Sequence, residues 1–354
     1  MDRAGLIRQH FYEMGVDAIF TMNSANRQYL TGFTGSSGYV LVASQETVLL
    51  TDSRYMEQAR RQTSGVNVML HARNFLETLR SQCRRLGVTR LGFEPEAVTY
   101  RTFENLTQSL PEVSLVPVPP VVETARQIKD AGELSAIQEA ARIADAAFEH
   151  ILNVIRPGLS ERDVALELEI FMRKMGASGV SFDTIVASGE RSALPHGVAS
   201  DRIIQAGEFV KMDYGCLYRG YASDITRTVA VGQPSARHRE IYEIVLDAQL
   251  TALSGIRAGL TGHEADQLAR NRIVAAGYGD NFGHSLGHGL GLVVHEMPRL
   301  AQHSTDVLQE GMVVTVEPGI YVPGFGGVRI EDDIVVRANT CERLTHAAKD
   351  LIVL

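Results

Sequence analysis

The sequence predicts a two-part chain: an α/β region up to about residue 125, then a larger α+β region made of two related halves. Three observations carry this. Short apolar runs alternate with helix-like polar stretches in the first part. A segment with four prolines, Pro111, Pro117, Pro119 and Pro120, closes it. Beyond that point four local patterns recur at a nearly constant offset.

In the first part Val16–Phe20, Gly38–Ala43 and Thr47–Leu50 are apolar runs bounded by Gly, Ser or Asn, which predicts strands. Arg54–Arg61 and Phe75–Leu86 are the helix candidates. Proline fixes φ and removes a backbone donor, so Pro111–Pro120 is expected to be extended and connecting. A long helix follows. Leu134, Ile137, Ala141, Ala144, Phe148, Ile151 and Ile155 recur at steps of three and four, which puts them on one face.

The duplication then begins. Arg156-Pro-Gly-Leu-Ser160 matches Arg257-Ala-Gly-Leu-Thr261 at an offset of 101. Ser160 with Asp163, and Thr261 with Glu264, have the spacing of capping boxes. Gly176 and Gly277, again 101 apart, are expected as left-handed residues just past the two helices. Gly207–Gly215 and Gly311–Gly319 share the pattern G-x-x-V-x-x-[DE]-x-G at an offset of 104. Two related halves, each with a carboxylate on a strand, suggest a site shared between them.

The chain has 354 residues, 45% hydrophobic and 21% charged, with a net charge of −8 and an isoelectric point near 5.8. That balance lacks the basic footprint of a nucleic-acid binder or of a protein drawn to anionic lipid. Neither a signal-like apolar stretch nor a membrane-spanning run is visible, and Cys83, Cys216 and Cys341 form no C-x-x-C pair. A cytoplasmic protein with reduced thiols is expected. Gly32–Gly38 lacks the G-K-[ST] ending of a phosphate loop.

The chemistry-bearing residues fall in the second part. Asp213 closes the apolar run from Phe209, and Asp224 follows after a hairpin-like stretch with glycines at both ends. Glu317 occupies the duplicate position of Asp213. In Val328–Val336, Arg329, Glu331 and Asp333 share one face of a strand by the period of two. Carboxylates among apolar strand residues must be paired, protonated or bound to a cation. His284, His288 and His295 crowd a glycine-rich segment, and His196 sits in Leu-Pro-His-Gly.

Taken in order, Asp213, Asp224, His288, Glu317 and Glu331 resemble the metal-ligand signature of the pita-bread metallopeptidases, which include methionine aminopeptidase, aminopeptidase P and prolidase. The strings M-D-Y-G, S-D-I-T-R-T, G-H-G-L-G, V-E-P-G-I-Y and R-I-E-D-D carry the likeness. Asn26–Gly35 and Leu50–Tyr55 resemble the extra domain of the proline-specific members. The resemblance implies a creatinase/prolidase-like α/β domain over residues 1–125 and a pita-bread catalytic domain with pseudo-twofold duplication over 126–354. It implies two divalent ions, with manganese best suited to four carboxylates and one imidazole, and cobalt, zinc or iron as alternatives. Asp224 and Glu331 would bridge them, Asp213 would chelate one, and His288 and Glu317 would complete the other. Glu317 would also move protons, with His196 and His295 as catalytic histidines. His284 and Arg329 are assigned to the substrate side, Arg329 either orienting the carboxylates or pairing with Asp333.

The implied activity is that of a metallo-exopeptidase acting on short proline-containing peptides, as a homodimer or higher oligomer. Between His295 and Glu317 the only arginine is Arg299, a sparse provision for holding a substrate's C-terminal carboxylate. This favours an Xaa-Pro aminopeptidase over an Xaa-Pro dipeptidase. A non-catalytic binding protein or a metal-free creatinase-like hydrolase on the same fold fits an intact ligand set poorly.

Overall fold

A computed structural model describes residues 2–71 and 73–354. The chain divides into two compact units, one ending at Arg126 and the other running from Gln127 to Leu354.

The first unit is a mixed sheet of β1 (Ala18–Thr21), β2 (Tyr39–Ala43), β3 (Thr47–Thr51), β4 (Asn67–Leu70), β5 (Arg90–Phe93) and β6 (Ser114–Pro117), in the order β4-β3-β2-β1-β5-β6. Its helices are α1 (Arg3–Arg8), α2 (Phe11–Met14), α3 (Ser24–Thr31), α4 (Met56–Gln62), α5 (Phe75–Leu86), α6 (Tyr100–Ser109) and α7 (Val121–Gln127). The three expected strands form, and helices occupy both expected stretches. The proline-dense segment differs from expectation: Ser114–Pro117 is extended but pairs in parallel with β5 as an edge strand. An edge position tolerates proline because the missing donor faces no further strand.

One buried polar cluster stands out in this unit. Asn26 donates to Glu94 at 2.6 Å and to Glu123 at 2.7 Å, and accepts from Arg126 at 2.7 Å. Thr21 donates to the other oxygen of Glu94 at 2.5 Å.

The second unit repeats one design twice. In its first half α8 (Ala131–Ile151) and α9 (Glu161–Lys174) pack on a sheet ordered β12-β9-β8, from β8 (Ile185–Ser188), β9 (Glu208–Tyr214) and β12 (Ile225–Val231). β7 (Gly179–Val180), β10 (Cys216–Tyr218) and β11 (Tyr221–Ala222) form a small separate sheet. In the second half α10 (Ala236–Gly255) and α11 (Gly262–Ala275) pack on a five-stranded sheet. Its strands are β13 (Gly287–Gly289), β14 (Glu296–Leu300), β15 (Val313–Val316), β18 (Asp332–Val336) and β19 (Cys341–Arg343), ordered β14-β13-β15-β18-β19. The hairpin of β16 (Gly319–Val322) and β17 (Gly326–Arg329) stands apart. The triplets β12-β9-β8 and β18-β15-β13 are counterparts.

Local signals explain the repeat. Ser160 and Thr261 each cap their helix in a reciprocal capping box with Asp163 and Glu264. Gly176 and Gly277 take φ of 107° and 85° one residue past the caps. The predicted face of α8 is buried at Ile137, Ala141, Ala144, Phe148 and Ile151, while Ile155 lies beyond the helix end. The continuous strand expected over Val328–Val336 is interrupted at Ile330 and Glu331. There the chain leaves the β16 hairpin and joins β15, and the Ile330 and Glu331 amides donate to Pro318 and Thr226 carbonyls instead.

All three cysteines are free, and burial pushes the Cys83 and Cys216 thiols up to about 12. Among the described residues no helix is long and apolar enough to cross a membrane.

The Glu94 cluster makes a pH prediction. Burial, reinforced by Glu123, raises its pKa from 4.5 to about 7 against the hydrogen bonds from Thr21 and Asn26. The unfolded chain therefore releases this proton first, and stability of the first unit falls as pH rises from about 4.5 to about 7, by up to about 3 kcal/mol. Glu94→Gln is expected to remove most of that slope and to slow hydrogen exchange of β1 and β5 at pH 8.

Candidate metal centre and cleft

Strand alternation delivers the acids. Along β9, Val210, Met212 and Tyr214 enter the core against α8 and α9, while Lys211 and Asp213 lie on the opposite face. β9 and β12 pair antiparallel with Asp213 opposite Thr226, so the chain returns with Asp224 just before β12. The Asp224 amide donates to Asp333 Oδ2 at 2.9 Å. Glu331 is placed in the interruption between β17 and β18. Thr226 donates to its carboxylate at 2.6 Å, and Arg227 donates to its backbone carbonyl. Arg227 in turn pairs at 2.7 Å with Asp332, both fully buried.

Asp213, Asp224 and Glu331 each present one carboxylate oxygen within 4.8 Å of the others, and all three residues are buried. Burial first, and then the neighbouring carboxylates, push the pKa values of Asp224 and Glu331 well above the usual range. Oδ1 of Asp213 and Oδ1 of Asp224 are buried without a hydrogen-bond partner. Such orphaned acceptors, in a cluster that resists its own ionisation, fit divalent cations as the missing partners.

His288 and Glu317 stand on the other side of Asp224. His288 Nε2 lies 3.7 Å from Asp224 Oδ2 and 3.4 Å from Glu317 Oε1. Its Nδ1 is 3.0 Å from the Gly289 carbonyl, and burial pushes its pKa down to about 4. The neutral ring donates from Nδ1 and leaves the Nε2 lone pair aimed at the carboxylates. Thr315 donates to Glu317 at 3.2 Å and accepts the His288 amide at 3.1 Å. The flanking glycines serve backbone packing. A Cβ on Gly287 would meet the Thr315 carbonyl at 2.0 Å, and one on Gly289 the Met297 carbonyl at 2.1 Å.

A cleft of about 430 Å³ collects all five ligand candidates together with His196, His284, His295, Arg299 and Arg329. Arg329 does not pair with Asp333. Its guanidinium is buried and pairs with Asp213, donating also to Thr226, Tyr321 and the Pro195 carbonyl. His284 has both ring nitrogens engaged, Nδ1 with the Ser285 carbonyl and Nε2 with the Tyr321 hydroxyl, each at 2.8 Å. Burial lowers its pKa to about 3, so it is neutral and the tyrosine hydroxyl donates to it. His284 has no ring nitrogen free for substrate, and four of the five N–H groups of Arg329 are engaged within the protein. His295 is exposed, its ring centre 4.5 Å from that of His288, and partial burial with Arg299 nearby lowers its pKa. His196 is exposed on a loop. Sequence reasoning missed Lys211, Thr226 and Tyr321; their only signal was their register beside an acidic residue.

Comparison with known proteins identifies the family. Residues 135–338 match metallopeptidase family M24, and residues 3–128 match the creatinase/prolidase N-terminal domain. An Xaa-Pro dipeptidase of Pyrococcus horikoshii is 42% identical, over 95% of each chain. A solved Xaa-Pro dipeptidase from Bacillus anthracis superposes with a TM-score of 0.98 at 51% identity, covering 100% of this chain and 99% of that one. A solved X-Pro aminopeptidase from Thermotoga maritima gives 0.93 at 40% identity, covering 98% and 100%.

Protons compete with a cation for Asp224 and Glu331 at higher pH than for ordinary carboxylates. Calorimetric titration with Mn²⁺ is therefore expected to show proton release and an affinity that weakens as pH falls. Asp224→Asn is expected to weaken Mn²⁺ binding at least about tenfold and to abolish the rise in unfolding temperature that Mn²⁺ produces in the parent.

Proposed function

The chain belongs to metallopeptidase family M24, and from that premise we propose that it is an Xaa-Pro dipeptidase whose catalytic domain spans residues 126–354, behind an N-terminal domain over 1–125. The observation that carries the length preference is Arg299. It lines the cleft beside the proposed ligands, is exposed, and forms no salt bridge with any described carboxylate. A guanidinium that faces Glu317 electrostatically but forms no salt bridge with a described carboxylate is suited to a substrate's C-terminal carboxylate. The dipeptidases among the similar proteins support the same choice. This reverses the preference for an aminopeptidase drawn from sequence, where one arginine seemed too sparse: one suffices when the fold delivers it to the cleft unpaired.

Asp213, Asp224, His288, Glu317 and Glu331 would hold two divalent ions, manganese foremost in so oxygen-rich a set. When bound, these supply Lewis-acid polarisation of the scissile carbonyl and acidification of the attacking water. The remaining steps belong to the chain. Glu317 takes the proton of the attacking water and returns it to the leaving imide nitrogen. His196 and His295 donate to the developing oxyanion and to the leaving group. Arg329 holds Asp213 in place, and Tyr321 ties Arg329 to His284, so these residues orient the site from behind.

An Xaa-Pro dipeptide compared with the Xaa-Pro-Yaa tripeptide tests the reading. The dipeptide is expected to be cleaved with the higher kcat/KM; equal or better cleavage of the tripeptide would overturn the dipeptidase assignment. Arg299→Ala is expected to raise KM for the dipeptide roughly 10- to 100-fold, the scale of one charge-assisted hydrogen-bonded contact, with kcat changed much less. Asp213→Asn and Glu331→Ala are expected to be inactive.

A further inference from the structure

Lys211 is a fully buried basic residue that the chemistry above does not use. It lies on β9 two residues before Asp213 and on the same face. Its Nζ is 2.5 Å from the Leu194 carbonyl, 3.3 Å from the Pro195 carbonyl and 5.0 Å from the centre of the Tyr321 ring. It forms no salt bridge among the described residues. An amino group withdrawn from water without a counter-ion is a poor device for stability. Its hydrogen bonds therefore point to what it holds.

What it holds is the chain immediately before His196. The surrounding segment is fastened at its base by the buried Glu161, which accepts from the amide and hydroxyl of Ser188, from Arg191, and from the amide and hydroxyl of Ser200. Those contacts lie on both flanks; the tip, residues 194–196, has the backbone hydrogen bonds of its own turn, Leu194 N–H to Arg191, Gly197 N–H to Leu194 and Val198 N–H to His196, and is tied to the sheet by side chains from β9 and β17. Among the described residues two side chains reach the tip's carbonyls: Lys211 takes those of Leu194 and Pro195, and Arg329 shares that of Pro195 at 3.1 Å. The His196 ring is exposed and makes no hydrogen bond to a described residue, so its position follows its backbone.

We propose that Lys211 is a positioning residue that sets His196 over the reacting carbonyl by holding the Leu194 and Pro195 carbonyls. The assignment rests on the role given above to His196. A lysine suits the task because its long stem reaches from a rigid strand to the loop and its amino group donates to two carbonyls at once. A methionine fills the same space and holds neither.

The test is a double-mutant cycle on the Mn²⁺-loaded enzyme, reading kcat and KM on an Xaa-Pro dipeptide, with metal content and unfolding temperature measured alongside. His196→Ala is expected to lower kcat roughly 100-fold, the usual scale for a lost hydrogen-bond donor to the oxyanion. Lys211→Met is expected to lower kcat about tenfold or more with KM and metal content unchanged, and Lys211→Gln, which keeps one donor, to fall between. The double variant Lys211→Met/His196→Ala is expected to be no slower than His196→Ala alone, because both act through one group. Losses that multiply, or a folded Lys211→Met enzyme with the parent kcat, would overturn the assignment to Lys211 while leaving His196 intact. A His196→Ala enzyme with the parent kcat would instead remove the role of His196, and this proposal with it. Should Lys211→Met not fold, Lys211→Gln is read in the same cycle against the same outcomes.

Discussion

The structure is organised around one electrostatic constraint: three buried carboxylates, Asp213, Asp224 and Glu331, converge within 4.8 Å. Like charges so close and so dry repel strongly. Much of the surrounding architecture serves to hold them there. Arg329 supplies one fixed positive charge against Asp213. Asp333 takes the Asp224 amide, and Thr226 takes one oxygen of Glu331. One step along each strand, the buried Arg227–Asp332 pair locks the backbone of Glu331. The chain spends its rigidity on an arrangement that resists itself, which is the condition of a site prepared for multivalent cations.

The internal repeat explains how one chain builds such a site. Each half contributes a helix pair, a three-stranded core and an acid on the equivalent strand. Asp213 arrives on β9, while Glu317 follows directly from β15. The halves have diverged where their tasks differ. The first carries both aspartates through a long hairpin, and the second carries His288 on a strand squeezed between two neighbours. That squeeze accounts for Gly287 and Gly289, which are small because backbones meet there.

Much of this was legible in the sequence because it is written in local signals. Capping boxes, terminal glycines and the helical period located α8, α9 and α11, and the repeat offset located the paired acids. What escaped was set by tertiary contact. The break at Ile330 and Glu331 depends on a handover between two partner strands, and a strand pattern in sequence does not reveal its partners. Arg329 was equally plausible beside Asp333 or behind the carboxylates; only folding brings Asp213, distant in sequence, to its guanidinium. Arg299 was undervalued for the same reason. That it lines the cleft without a salt bridge to a described carboxylate is a property of its surroundings.

The alternation along β9 separates two kinds of mutational freedom. Val210, Met212 and Tyr214 are bound by core packing, and a change there alters the volume of a filled interior. Lys211 is also buried, but its amino group meets the loop before His196 instead of the helical core, so a change there acts on the placement of that loop. One strand thus joins a side held by packing volume to a side held by hydrogen bonds. A substitution on the core side is therefore read in stability, and one at Lys211 in the geometry of the cleft's edge.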